Sequence, residues 1–425
     1  APRLTWDVVA RLRPPNLMRF FDRAAVASAS VRSAKSVTSL VDGYLTIGAG
    51  NRAAAPSSLA TEVVDHRDPD VATQRAVFER RTGVKATGAA FTLSLPPIVA
   101  LNSAQHFGAV PGSLGDALNR RGIAAVGNAT ADLTTPTGRD VAFAAMDTDG
   151  RVSGGDVGAD LLAFDPSAPA GLVLDAEKVA AAVDLAFGRA ALVVAELSDL
   201  ERAEQARSAS TPAQGARQFD TAVGRSDELF GRLLGTVDLA RDLVIVVAPA
   251  APLAEEQLTV FAMAGHGVSR GWASSSTTRR QRFTTLTDIA PNVVAALAMK
   301  VPAAMTDTRL TSDADSSSTA DRVERMVDDN LRALHRDAAF GPFTVVFVVT
   351  IVLMLGLAMI FQARGGEKLA TTVRMGAMWI LGILPWSYLA GLFPLGRISP
   401  AAQGLLVAAL GLLTGIAVHA LTRRF

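Results

Sequence analysis

Apolar and polar positions follow two different patterns along the chain, and the change comes near residue 341. Before it, short apolar runs alternate with amphipathic stretches and polar turns, as in a soluble protein. After it, residues 343–361, 375–393 and 401–421 form three long runs that are almost free of charge. Each run approaches the ~20 residues that a helix needs to cross the ~30 Å hydrocarbon core of a bilayer. The pattern therefore predicts three transmembrane helices, within residues 342–425.

The apolar runs of the soluble part predict buried strands with helices between them. The predicted strands are Ala124–Val126, Val141–Met146, Ala191–Leu197, Leu243–Ala248 and Leu258–Ala262. The predicted helices include Gly112–Arg121, Asp175–Arg189 and Gln214–Val237. This alternation predicts an α/β domain over residues 1–305, with a mostly parallel sheet that helices cover on both faces.

The segment between this domain and the first span, residues 306–341, has two parts. Residues 306–319 are rich in Ser, Thr and Asp, a composition typical of a linker. The apolar residues that follow recur at helical spacing: Val323, Met326, Val327, Leu331 and Leu334. They predict an amphipathic helix just before the membrane.

Basic residues near the spans predict the orientation in the membrane. They are concentrated in the first loop and at the C-terminal end: Arg364, Lys368, Arg374, Arg423 and Arg424. The second loop contains only Arg397. Because cytoplasmic loops carry the excess of Arg and Lys, we expect a cytoplasmic C-terminus and extracytoplasmic residues 1–340. Such a domain needs an export signal or an anchor, which we expect upstream of Ala1.

Composition narrows the classes of function. The chain contains no cysteine, which excludes disulfides, thiolate metal sites and cysteine nucleophiles. The formal net charge is +1, so nothing indicates bulk attraction to nucleic acid. Arginine supplies nearly all of the positive charge, and together with abundant Ala, Val and Gly this is typical of a GC-rich bacterial genome. The expected partners are membrane lipids, with protein partners in a membrane complex as a further option.

Three polar motifs are candidate binding sites, and each also has a purely structural interpretation. Gly48-Ala-Gly50 resembles part of a dinucleotide-binding turn, or is a structural turn. His266 stands between two glycines, where it would line a cleft or sit in a solvated loop. Residues 274–282 gather hydroxyls beside Arg279 and Arg280, which suits a phosphate or a lipid head group, or a solvated loop.

Four segments together resemble the alkaline phosphatase superfamily, in particular its phosphatase-like polytopic membrane proteins of bacteria. They are TSLVDGYLTIGAG from Thr38, VVAELSD from Val193, DLVIVVA from Asp242, and residues 258–305 with a Gly-x-Gly loop and a final Val-Pro-x-x-Met. The resemblance implies a metal-activated nucleophile at Thr38. It also implies ligand-binding roles near Asp42, Asp199 and His266.

The sequence departs from that family where the metals should bind. Active members hold two metal ions with Asp and His ligands, but residues 248–252 read Ala-Pro-Ala-Ala-Pro, which cannot bind a metal. The family's first strand, which ends in a ligand Asp, would lie upstream of Ala1. We therefore expect no metal cofactor. Without a metal to lower the pKa of its hydroxyl, Thr38 has no means of activation.

Three functions remain open from the sequence. The first is a pseudo-enzyme that binds a ligand or protein partner at the cell envelope. The second is an active phosphohydrolase or phosphotransferase that acts on envelope lipids or glycans. The third is a structural subunit of a larger membrane complex.

Overall fold

The computed structural model describes residues 1–57, 62–131, 138–253, 256–365, 367–390 and 399–422. The chain divides into two compact units, Ala1–Val327 and Asp328–Phe425. The first unit mixes helices and strands, which confirms the predicted α/β class, and the described part of the second unit is helical.

The strands of the described chain all lie in the first unit. They are β1 (Ala25–Ser30), β2 (Val63–Asp65), β3 (Ala90–Thr92), β4 (Ile123–Val126), β5 (Arg151–Val152), β6 (Gly154–Asp156), β7 (Leu162–Phe164), β8 (Leu172–Leu174), β9 (Leu192–Ala195), β10 (Leu243–Val247), β11 (Thr259–Gly265), β12 (Gly271–Ser275), β13 (Arg280–Gln281), β14 (Phe283–Thr285) and β15 (Leu310–Ala314).

The helices cover the sheets and then continue into the second unit. They are α1 (Trp6–Leu12), α2 (Pro15–Phe21), α3 (Leu40–Ala49), α4 (Val71–Thr82), α5 (Leu95–Ser103), α6 (Ser113–Leu118), α7 (Ala142–Ala145), α8 (Ala176–Phe187), α9 (Asp199–Ala206), α10 (Pro212–Leu234), α11 (Ile289–Ala296), α12 (Thr319–Arg364), α13 (Glu367–Ala390) and α14 (Pro400–Thr422).

The largest sheet has seven strands in the order β10-β11-β1-β12-β13, with β14 beside β1 and β15 beside β12. Strand β11 is antiparallel to both β10 and β1, whereas β12 and β14 are parallel to β1. A second sheet, β6-β4-β9, is wholly parallel. The expected mostly parallel sheet is therefore wrong, because the largest sheet is mixed. The described part of the β10–β11 connection contains no helix, and a chain that returns without a crossover pairs antiparallel.

Two hydrophobic cores lie on the two faces of these sheets. Strand β1 shows the alternation that a strand requires, because Ala25 and Ala27 enter one core and Val26 enters the other. Trp6 is fully buried in the second core, and its indole nitrogen donates a hydrogen bond to the carbonyl oxygen of Ala27 at 3.2 Å.

Four of the five predicted strands are confirmed, as β4, β9, β10 and β11. The prediction for Val141–Met146 is wrong, since Ala142–Ala145 form helix α7. Every residue of that run is buried, and a continuous apolar run does not distinguish a buried strand from a buried helix. The predicted helices are confirmed as α6, α8 and α10.

The polar segment of residues 306–319 is more ordered than its composition predicts. Leu310–Ala314 form strand β15, which pairs antiparallel with β12. The amphipathic helix is confirmed as the start of α12, where Val323 and Met326 are buried in the second core.

Two helices of the described chain are long and apolar enough to cross a membrane, Thr319–Ile360 and Ala402–Leu421. They match the first and third predicted spans. The second predicted span, residues 375–393, coincides with α13 up to Ala390, and the rest of it lies outside the described residues.

Candidate functional site

Thr38 lies between β1 and α3, and its side chain is buried. Its hydroxyl donates a hydrogen bond to the hydroxyl of Ser33 at 3.1 Å and accepts one from the Ser33 backbone N–H at 3.0 Å. The two residues thus close a local turn. The observed contacts of this hydroxyl are structural, and no acid–base partner is among them.

Asp42 stabilises the start of helix α3. Its carboxylate accepts hydrogen bonds from the backbone and hydroxyl of Ser39, at 3.1 and 2.7 Å, in a reciprocal capping box. The other oxygen accepts the Ala55 N–H at 2.7 Å and pairs with the Lys35 ammonium at 3.1 Å. Both oxygens therefore have partners that hold the fold.

The Gly48-Ala-Gly50 motif does not open a helix, as a dinucleotide-binding turn would. Gly48 is inside α3, and Gly50 ends that helix in the left-handed conformation with φ of 60°. This geometry supports the structural interpretation, since glycine is the usual residue at such a helix end.

A cluster of carboxyl groups lies deep in the first unit, where sequence reasoning placed no site. Glu201 accepts two hydrogen bonds from the guanidinium of Arg3, at 2.7 and 3.1 Å, and both side chains are buried. Burial also raises the pKa of Glu196, although a hydrogen bond from Ser198 at 2.6 Å acts in the opposite direction.

Asp140, near these carboxyl groups, also has a raised pKa. Loss of water raises its pKa to about 8, with the nearby carboxylates of Glu196 and Glu201 adding to the shift and Arg3 opposing it. The pKa of Tyr44 is also raised, first by burial and then by Glu196. At neutral pH this cluster therefore retains a proton on Asp140. The available sequence signal was Glu196 itself, a carboxylate at the carboxyl end of a parallel strand.

The residues do not fit the two metal ions that the family resemblance implies. The loop after β10 contains Ala248 and Ala250, both fully buried, at the position where the resemblance would place Asp and His. Within the described residues, no group of three His, Asp or Glu side chains is placed to hold a metal ion.

Asp199 begins helix α9 and lies beside a small cleft. Its carboxylate accepts the Leu174 N–H at 3.0 Å and pairs with the buried guanidinium of Arg202. Arg202 in turn donates to the carbonyl oxygen of Asn128 at 2.6 Å. The cleft has a volume of about 240 Å³, and its lining includes Asp199, Arg202, Arg217 and Arg225.

His266 is exposed in the turn that follows β11, and its backbone N–H donates to the Asp242 carbonyl at 3.3 Å. The structure therefore favours the solvated-loop interpretation of this histidine. It lines neither the cleft at Asp199 nor the hollow described next.

Arg279 and Arg280 line a wide surface hollow of about 380 Å³, which we call the arginine hollow. Its wall consists of Ser274, Ser275, Ser276, Arg279, Arg280, Gln281, Arg309, Thr311 and Asp313. The segment from β12 to β13 contains the lining residues from Ser274 to Gln281. The pairing of β15 with β12 brings Arg309 and Thr311 beside that segment. Three arginines and one aspartate thus line the hollow, which gives it a local formal charge of +2.

Arg309 is the residue of this hollow that the sequence did not reveal. Its backbone N–H donates to the Ser276 hydroxyl at 2.9 Å, and its carbonyl accepts the Ser276 N–H at 3.0 Å. The sequence separation hides this proximity, and only the β12–β15 pairing creates it.

The predicted site residues therefore fall in different places. Thr38 and Asp42 lie at the start of α3, Asp199 lies in the cleft, and Arg279 and Arg280 lie in the arginine hollow. Comparison with protein-family models, curated proteins and solved structures finds no match for this chain.

Proposed function

We propose that the first unit is a phosphatase-like pseudo-enzyme, anchored in a bacterial membrane, that binds a phosphate-bearing ligand of the cell envelope. The observation that supports this proposal is the arginine hollow, where Arg279, Arg280 and Arg309 surround one surface depression. Guanidinium groups bind phosphate through paired, charge-assisted hydrogen bonds, and the hydroxyl of Ser276 adds a further donor.

Binding rather than catalysis is favoured by the contacts of the two residues at the start of α3. The Thr38 hydroxyl is engaged with Ser33, and the Asp42 carboxylate serves the helix cap. A hydrolase would need an activated nucleophile at this position. Ligand binding in the arginine hollow requires no activated nucleophile, only complementary charge and shape.

The proposed setting is the outer side of the cytoplasmic membrane, with three spans and a cytoplasmic C-terminus. The two long apolar helices support membrane association, and the basic residues Arg364, Lys368 and Arg374 support the orientation. Reporter fusions after Arg374 and within the loop at Ser317 test it. Cytoplasmic activity at Arg374 and external activity at Ser317 are expected, and the reverse would contradict the orientation.

Ligand binding is tested by calorimetry on the full chain in mild detergent, with glycerol 3-phosphate and inorganic phosphate as probes. The double variant Arg280→Ala/Arg309→Ala should weaken binding of glycerol 3-phosphate by about tenfold or more, because two charge-assisted contacts are lost. Arg75→Ala is the matched control, since Arg75 is an exposed arginine on α4.

Equal affinity in all three proteins would refute the arginine hollow as the site. The active-enzyme alternative predicts a different result: hydrolysis of a phosphodiester that requires added metal and is lost in Thr38→Ala. That result would replace the pseudo-enzyme proposal.

A further inference from the structure

The cleft beside Asp199 is a second candidate binding site, which we call the α10 cleft. Helix α10 contributes Arg217, Thr221 and Arg225 to its lining. These residues are spaced four apart, so they share one face of the helix. Residues 167–169, 172 and 173 also line the cleft. Among the described residues, the α10 cleft shares no lining residue with the arginine hollow, so the two sites are separate.

The positive charges of the α10 cleft are paired with carboxylates except at Arg217. Arg202 pairs with Asp199, and Arg225 pairs with Asp165. Arg217 donates instead to the side-chain oxygen of a neutral glutamine one turn earlier, at 2.7 and 3.2 Å. It has no carboxylate partner within the described part of the chain. One positive charge therefore remains uncompensated, which fits a ligand with a single negative charge.

Arg202 adds a buried guanidinium to the same lining. Its pair with Asp199 and its hydrogen bond to the Asn128 carbonyl oxygen at 2.6 Å hold the side chain in one position. Its Nε–H has no hydrogen-bond partner among the described residues, so a donor remains unused. A guanidinium that is already ordered attracts an anion with little further loss of side-chain freedom, and burial strengthens the attraction.

The rest of the lining favours an aliphatic group beside that negative charge. Leu172 and Val173 contribute apolar side chains. The Thr221 hydroxyl donates to a carbonyl oxygen of its own helix at 2.9 Å, and the Ser167 hydroxyl donates to Asp165 at 2.6 Å. A volume of about 240 Å³ holds roughly eight non-hydrogen atoms, at the ~30 Å³ that one molecule occupies in liquid water.

We propose that the α10 cleft binds a small aliphatic monocarboxylate with about six carbon atoms, which with its two oxygens fills that volume. Arg217 binds the carboxylate through charge-assisted hydrogen bonds, and Arg202 adds electrostatic attraction. The alkyl chain packs against Leu172 and Val173. This ligand differs in chemical class from the phosphate-bearing ligand of the arginine hollow, and its binding does not depend on that hollow.

Saturation-transfer NMR with hexanoate tests the proposal on the full chain in mild detergent, with protein-free micelles as the blank. Arg217→Gln should weaken hexanoate binding by about tenfold or more, because a charge-assisted contact is lost. Arg232→Gln is the matched control and should leave the affinity unchanged, since Arg232 is exposed on α10 and lies outside the cleft lining. Hexanamide, the neutral analogue, should bind the unchanged protein about tenfold more weakly than hexanoate.

A second variant tests the shape of the cleft without a change of charge. Thr221 is exposed on α10, so Thr221→Phe should be tolerated by the fold and should abolish hexanoate binding by filling the cleft. Unchanged hexanoate affinity in both Arg217→Gln and Thr221→Phe would overturn the proposal. So would equal binding of hexanoate and hexanamide, or no binding of hexanoate to the unchanged protein.

The arginine hollow supplies the remaining control. The double variant Arg280→Ala/Arg309→Ala should bind hexanoate as tightly as the unchanged protein, because neither residue lines the α10 cleft. Loss of hexanoate binding in that variant would place the acid in the arginine hollow and would contradict a separate carboxylate site.

Discussion

Loss of the Arg322 side chain, near the start of α12, is expected to weaken the packing of residues 319–327 within the first unit. Its side chain is fully buried. One guanidinium nitrogen donates to the carbonyl oxygens of Ala24 and Gly271 at 2.9 and 3.2 Å, and the other donates to Phe21 at 2.7 Å and to the Thr319 hydroxyl at 3.0 Å. The substitution Arg322→Met keeps a similar length and removes all four hydrogen bonds.

The magnitude follows from the four hydrogen bonds that are lost. Two of the carbonyl groups keep a second donor, because Ala24 accepts the Gly271 N–H at 3.2 Å and Phe21 accepts the Ala24 N–H at 3.3 Å. The loss is therefore counted per hydrogen bond, at ~1 kcal/mol each or ~4 kcal/mol together. Removal of a buried positive charge relieves part of that loss. We therefore expect the free energy of unfolding to fall by about 2–4 kcal/mol, which lowers the melting temperature by roughly 3–6 °C for a unit of this size.

The assay is thermal unfolding of the full chain in detergent, followed by tryptophan fluorescence, since buried Trp272 packs close to this helix. Arg325→Met is the matched control, because Arg325 is exposed on the same helix and lies 5.8 Å from the Trp272 ring centre. Its expected effect is below ~1 kcal/mol. If both variants melt within about 1 °C of each other, the argument from the lost hydrogen bonds is refuted.

Two further predictions concern the interior of the first unit. The pKa of Asp140 is about 8 in the folded protein and 3.8 as the reference value, so the folded state alone holds this proton between those values, and stability falls as pH rises through that window. After a discount for solvent screening, Asp140→Asn should therefore raise the melting temperature at pH 8 by several degrees and have little effect at pH 4. Asp70→Asn, at an exposed position, is the control, and its melting temperature should match that of the unchanged protein at both pH values. Gly43→Ala should lower the free energy of unfolding by about 2–3 kcal/mol in denaturant titrations, because the new Cβ would lie 2.1 Å from the Pro249 carbonyl oxygen. Gly224→Ala is the control, since its Cβ meets nothing within 4 Å, and it should raise the free energy of unfolding by about 0.5–1 kcal/mol.

Local patterns in the sequence predict the elements of this protein better than their arrangement. The runs at β4, β9 and β10 are short, apolar and bounded by helical periodicity, so each has one simple interpretation. The direction of β11 depends on how the chain returns after Val247, and hydrophobic pattern carries no information about that path. For the same reason β15 was hidden, because Thr311 and Asp313 look like linker residues until they pair with β12.

The candidate site was predictable only where it is local in sequence. Arg279 and Arg280 lie within a few residues of Ser274, Ser275 and Ser276, so the sequence alone predicts a basic, hydroxyl-rich group. Arg309 joins them through strand pairing across the sheet, and Asp140 gains its raised pKa from Glu196 and Glu201, which are distant in sequence. Desolvation and the convergence of charges are properties of the folded chain, and single-residue patterns do not encode them.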